Sequence, residues 1–234
     1  MREQAEAADE ALAQVRTEPR GTVRITCPVT LAQTTLGPLL PRFLAANPQV
    51  RVDMRVTNRV IDLVQEGVDV ALRVRANLDD SGSLIAKNLG PTSGMMVASP
   101  QLLQRFGAPH DLDGLRHLPT VAMSSADGLA SWRLVGPKNA DFDFEHHPVL
   151  TADDLLTLKH AVLQGTGMCI LPDYMCSEEV RRGELVPVLK GWSPRVAMVL
   201  AVYPSRRGMV PAVRRLLDFL GENMVGDRVV NPPA

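Results

Sequence analysis

The chain has 234 residues, 45% hydrophobic and 22% charged, which suits a globular protein of one large or two small domains. With 25 basic against 26 acidic residues its net charge is −1, too little positive charge for this chain to bind nucleic acid by itself, and 4% aromatics offer few stacking platforms. Cys27, Cys169 and Cys176 are odd in number and form no CxxC pair, so they read as reduced, buried thiols of a cytoplasmic protein. The first 21 residues have no apolar signal-peptide core, and no run approaches the roughly 18 apolar residues of a membrane span.

Residues 2–16 place Ala5, Ala8, Leu12 and Val15 at spacings of three and four, which predicts a thin helix, the end of a longer one or a linker. VRITCP (23–28) is a buried-type strand, and VTLAQTT (29–35) reads as a polar loop. Leu36, Leu39, Leu40, Phe43 and Leu44 then mark a helix, in which Pro38 and Pro41 are acceptable only in the first turn. VRVDMRV (50–56) alternates as a strand. Asn58 predicts an N-cap, Val60, Leu63 and Val64 a helical stripe, and Gly67 its stop. GVDVALRVR (67–75) is a third strand. This β-α-β-α-β order predicts a parallel sheet with right-handed crossovers.

GMMVAS (94–99) and PTVAM (119–123) are strands around a helix capped by Ser99, started by Pro100 and ended by Gly107. Residues 124–149 read as a long polar stretch. There Trp132 sits either at a rim between lobes or in plain core, and His146-His147 in a surface loop or at a rim contact. Thr151 to Asp154 resembles a capping box with Asp in place of Glu, opening a helix that Gly165 and Gly167 close. MCIL (168–171), a helix over 173–182 and ELVPVL follow. The strand 196–204 and the helix after Pro211 find no partners there and return to the first unit. The chain thus divides into the end of a linker helix (1–20), lobe I (21–92 with 195–225), lobe II (93–194) and a tail (226–234). Crossings near 90–93 and 191–196 make a hinge, and two lobes make a cleft.

Arg73 and Arg75 stand at the C-terminal end of the third strand, where open α/β sheets bind ligands. Loops 28–35, 57–58 and 124–131 share that edge. The helix start after residue 28 favours anions, Thr30, Thr34 and Thr35 add hydroxyls, and Thr151 to Asp154 could face the same cleft from the other lobe. The set suits a small anion such as a carboxylate. Ion pairing with Asp69, Asp79 or Asp80 is the alternative, stronger for Arg75 than for Arg73. No GxSxG, HExxH or P-loop occurs; Gly165-Thr166-Gly167 fits a helix cap, adjacent histidines do not readily share a metal, and Asp153-Asp154 complement a helix dipole. No catalytic residue, metal or cofactor is expected.

GTVRITCP, LGPLLPRFLAANPQVRVDMRV, NRVIDLVQEGVDVALRVR, ASPQLLQRFGAP, AVLQGTGMCILP and GELVPVL together resemble the effector-binding domain of LysR-type transcriptional regulators, over residues 10 to 222. The most specific stretch is similar to the family pattern R-x-x-D-L-x-x-x-G-x-D-x-A-x-R, and the last 30 or so matched residues resemble the subgroup of CrgA-like regulators. The resemblance implies two Rossmann-like lobes joined by two crossover strands, a type 2 periplasmic-binding-protein-like fold. It implies a small-molecule effector in the interlobe cleft, contacted by Val29, Thr30, Leu31, Ala32, Thr57, Asn58 and Arg73 from lobe I and by Ser124, Thr151, Ala152 and Asp153 from lobe II. It further implies a homodimer of this domain, a tetramer of the full-length protein, and DNA contact only through an N-terminal winged helix-turn-helix that this sequence lacks. Apolar faces at Leu36, Leu39 and Phe43, and at Val60, Leu63 and Val64 or near Leu102, are expected to remain for the dimer. A solute-binding protein for uptake and an enzyme on the same fold are the competing functions. The missing signal peptide opposes the first, and the missing nucleophile, metal set and cofactor loop oppose the second.

Overall fold

The computed structural model describes residues 18–75, 84–123, 127–204 and 209–224. They form two compact units, the first reaching Gly90 and resuming at Val199, the second running from Pro91 to Met198. The whole of the helical segment expected at 2–16, and the tail, lie outside the described residues.

In the first unit β1 (Gly21–Cys27) buries Val23, Ile25 and Cys27 and pairs parallel with β2 (Val50–Val56) and with β3 (Val70–Arg75). With β13 (Ala197–Pro204) and β4 (Leu84–Thr92) the order is β2-β1-β3-β13-β4. The chain goes from β1 to β2 on one side and from β2 back past β1 to β3 on the other. Right-handed crossovers therefore lie on opposite faces, and the winding reverses between β1 and β3.

The first crossover, helix α1, begins at Val29, directly after Pro28, so residues 29–35 are helix and not loop. It comprises a turn Val29–Leu31, a π-helical stretch Ala32–Leu36 and an α-helical body Gly37–Ala46. Pro38 and Pro41 consequently lie inside the helix rather than in its first turn. A proline there lacks an N–H and crowds the carbonyl four residues back. The helix widens just before Pro38, the Gly37 N–H reaching the Ala32 carbonyl five residues earlier. Leu36, Leu39, Leu40 and Phe43 are all buried. The exposed side carries Gln33, Thr34, Gly37, Pro38, Pro41, Arg42, Ala45 and Ala46, so Leu36, Leu39 and Phe43, expected to remain for a dimer, are instead taken up inside the unit. Helix α5 (Pro211–Asn223) buries Val213, Leu216, Leu217 and Leu220 as read, and its Phe219 ring lies 5.3 Å from that of Phe43.

The second crossover holds one turn in place of the helix expected after Asn58. Asp62 Oδ1 accepts the N–H groups of Val64 (2.9 Å) and Gln65 (3.0 Å). Gly67, at φ +61°, lets the Val68 N–H reach the Leu63 carbonyl at 2.8 Å. The segment is capped at both ends after a single turn. Leu63 is buried, whereas Val60 and Val64 are 76% and 72% exposed and pack on little.

In the second unit β5 (Gly94–Ala98) runs antiparallel to β10 (Cys169–Pro172) and β11 (Val186–Pro187), and β6 (Val121–Met123) runs parallel to β9 (Leu150–Ala152). A bridge between Thr120 and Met168 joins the two sets. Gly167 is required there, since a Cβ would meet the Pro119 carbonyl at 2.9 Å. Helix α2 (Pro100–Phe106) starts as read, Ser99 Oγ accepting the Leu102 N–H at 3.2 Å. The polar stretch contains a hairpin, β7 (Ala130–Val135) against β8 (Asp141–His146), with the short β12 (Ser193–Pro194) antiparallel on the other side of β7. Trp132, Leu134, Phe142 and Phe144 point to a core with Met96, Leu102, Leu115 and Met168, which resolves Trp132 as core, while Arg133 pairs with Asp143 outside at 3.0 Å. Helix α3 (Leu155–Leu163) is capped by Asp154 itself, whose Oδ2 accepts the Thr157 N–H at 2.9 Å; Thr151 lies in β9, so the expected box begins three residues too early. Helix α4 (Asp173–Arg182) ends at Gly183 in the left-handed conformation.

Asp154→Ala is expected to lower stability by about 1 kcal/mol. Thr151→Ala should stay within about 0.5 kcal/mol of the parent. Urea midpoints of the two variants check this; equal losses would restore Thr151 as the cap.

Candidate functional site

The C-terminal ends of β1, β2 and β3 form one edge. The Thr57 N–H donates to the Cys27 carbonyl at 2.9 Å, and Asn58 Oδ1 accepts the Val29 N–H at 3.1 Å. Asn58 therefore caps α1 across the edge instead of starting a helix of its own. The N–H groups of Thr30 and Leu31 belong to the partnerless first turn of any helix. Of the side chains expected to touch a ligand here, Val29 is half-buried, and Thr30, Leu31 and Ala32 are buried, leaving backbone as what they offer. The Thr34 hydroxyl donates to the Thr30 carbonyl at 2.8 Å and is spent within the helix.

Arg73 is only 8% exposed. Its Nη1 donates to Thr26 Oγ1 at 3.3 Å and to the Leu72 carbonyl at 2.8 Å. Nη2 is buried and has no hydrogen-bond partner among the described residues. Of the carboxylates offered for pairing, Asp69 instead accepts the Arg24 N–H at 2.7 Å, and Asp79 and Asp80 lie outside the described residues. Burial first, and the charge of Arg75 second, draw the Arg73 pKa below its ordinary value. Thr26 is in register with Ala71 on the neighbouring parallel strand, so Thr26, Ala71, Arg73 and Arg75 share one sheet face. On that face lies a cavity of about 160 Å³ whose floor includes Ala71, Arg73, Arg75, Leu84, Leu200 and Val202, beneath Ile61 and Leu63 of the second crossover. Thr26 and this cavity escaped the sequence reading; the matching parity of Thr26 and Arg73 on adjacent strands is the signal that could have linked them.

In the second unit Ser124 lies outside the described residues. Thr151 and Asp153 are exposed and Ala152 half-buried, at the shared end of β6 and β9, where Met123 is in register with Ala152. His146 is not on the surface. It is buried, 2.7 Å from Thr120 Oγ1 through Nδ1, between the rings of Trp132 (4.2 Å) and Phe144 (5.1 Å). Burial, with a smaller contribution from His147, lowers its pKa from the ordinary 6.5 to about 4. Burial likewise pushes the thiols of Cys27, Cys169 and Cys176 up to about 12. Among the described residues no three His, Cys, Asp or Glu gather as metal ligands, and no helix is long and apolar enough to cross a membrane.

Residues 16–225 match the family described as the LysR substrate binding domain. The chain belongs to this family. An HTH-type transcriptional regulator of Xanthomonas campestris pv. campestris is 34% identical over 218 residues, covering 92% of this chain but only 63% of that protein. The HTH-type transcriptional regulator CrgA of Neisseria meningitidis serogroup C is 28% identical over 225 residues, 96% of this chain and 74% of that protein. The solved regulatory domain of CrgA from Neisseria meningitidis aligns at a TM-score of 0.76 and 26% identity, covering 88% of this chain and 100% of that one. The chain is thus a LysR substrate-binding domain, with the α/β, type 2 periplasmic-binding-protein-like fold of that family. These relatives give no support to an uptake protein.

The buried His146 of this LysR domain sets a pH response. The folded state keeps the imidazole neutral, whereas the unfolded chain takes up a proton below about 6.5. Its contribution is therefore full above pH 6.5 and is lost as pH falls towards about 4. Urea midpoints between pH 7 and 4 should fall less steeply for His146→Gln than for the parent; parallel slopes would show that the histidine is not held neutral.

Proposed function

We propose that this domain senses a small anionic effector that binds at the C-terminal edge of the first-unit sheet, with Val29, Thr30, Leu31, Ala32, Thr57, Asn58 and Arg73 as its contacts there. Ser124, Thr151, Ala152 and Asp153 are its contacts from the other lobe, across the cleft that the LysR resemblance implies. The observation that carries the reading is Arg73: a guanidinium nine-tenths buried, at the point where the winding of the sheet reverses, with a nitrogen left over. Catalysis is not part of the reading, and neither is a cofactor. The longer regulator is cytoplasmic, dimerises through this domain and forms tetramers, and reads DNA through an N-terminal helix-turn-helix. An effector that favours one interlobe angle then moves the DNA-reading parts without touching them.

Isothermal titration with candidate carboxylates tests the anion. Arg73→Gln should weaken binding by about 1–3 kcal/mol, the size of a charged hydrogen bond. A tight neutral effector indifferent to Arg73 would overturn it. This chain alone, at net charge −1, should not retard promoter DNA in a gel at physiological salt. Sequence-specific retardation by it would show that DNA is read within these 234 residues.

A further inference from the structure

We infer that the cavity beneath the second crossover is a binding site for a monocarboxylate with an apolar body about the size of one six-membered ring. The inference deepens the anion reading and rests on it. Alternate residues of three neighbouring strands, β3, β13 and β4, lay the floor: Ala71, Arg73 and Arg75; Leu200 and Val202; Leu84 and Ala86. Ile61 and Leu63 lie over it, and among the described residues every lining side chain apart from the two arginines is apolar. All of these residues belong to the first unit.

Size and chemistry narrow the ligand. A dry apolar cavity of about 150 Å³ takes one benzene, and this one measures about 160 Å³. Among the described residues no acidic side chain lines it, so they offer an ammonium group no counter-charge. Hydroxyls of a sugar, or a second carboxylate, would be stranded against Leu and Val. One carboxylate answers the unpartnered Arg73 Nη2, and guanidinium and carboxylate match geometrically as a fork.

The test is titration of the 234-residue chain with benzoate, cyclohexanecarboxylate, acetate and benzamide, followed by calorimetry and by methyl NMR. Both ring acids should bind at least tenfold tighter than acetate or benzamide and should shift the methyls of Ile61, Leu63 and Leu200. Arg73→Gln should lose tenfold or more. Ala86→Phe, which fills the cavity from an exposed position, should abolish the methyl shifts without unfolding the chain. If the acids bind, Arg73→Gln weakens them and Ala86→Phe does not, with shifts confined to residues 29–32 and 57–58, the cavity is not the site although the anion reading stands. Benzamide binding as well as benzoate, with Arg73→Gln neutral, overturns both. No binding of either ring acid at millimolar concentration overturns the cavity proposal.

Discussion

The guanidinium of Arg73 is held where a β-sheet ordinarily admits no charge. Taking an ion out of water costs several kcal/mol even after the protein relaxes. Two hydrogen bonds from Nη1, to a threonine hydroxyl and a backbone carbonyl, recover part of that, because a charged donor makes the stronger kind of bond. Neither acceptor carries a charge, and Nη2 donates to no acceptor among the described residues. The first unit is therefore organised around an incompletely satisfied cation. The strand order makes this possible. Only where the winding reverses does the end of one strand, at Thr26, stand open beside the end of the next, at Arg73, with the two crossovers leaving on opposite faces.

The two crossovers differ in mass, and the difference shapes the site. Helix α1 is long and carries two interior prolines by widening into a π-helical stretch, and it closes its face with Leu36, Leu39, Leu40 and Phe43. The second crossover is one turn, pinned by Asp62 at its start and by Gly67 at its end. A single turn covers less of a sheet than a helix would, and the cavity lies on the face it leaves thinly covered. Asn58 ties the two together, since it spends its side chain on the first N–H of α1.

The parallel order of β1, β2 and β3, the return of β13 and α5 to the first unit, the Ser99 cap and the charge at the end of β3 were all legible in the sequence. The misreadings have local causes. Asn58 looks like an N-cap because Asn at a strand end with Val and Leu beyond is what an N-cap looks like; its partner is 29 residues away. Residues 29–35 look like a loop because threonine and glutamine hide a helix whose buried positions are Thr30, Leu31 and Ala32. The hairpin of β7 and β8 did carry a signal, since Trp132 and Leu134 alternate with Arg133, and Phe142 and Phe144 with Asp143. The strongly polar outward residues outweighed it. His146 completes that inward series, which is why it is buried. The cavity was not legible at all, because it depends on which residues of three separate strands fall on one face.

The three thiols give the chain a further property. Only thiolates react at useful rates, and with each pKa near 12 these groups are almost wholly protonated at neutral pH and are sealed from solvent as well. An alkylating reagent can reach them only when the surrounding structure opens. Cys27 lies in the first unit, and Cys169 and Cys176 lie in the second. Mass spectrometry of the modified peptides would time the opening of each unit separately. The unaltered protein thus carries its own clock for whether its halves come apart in one cooperative step or in two.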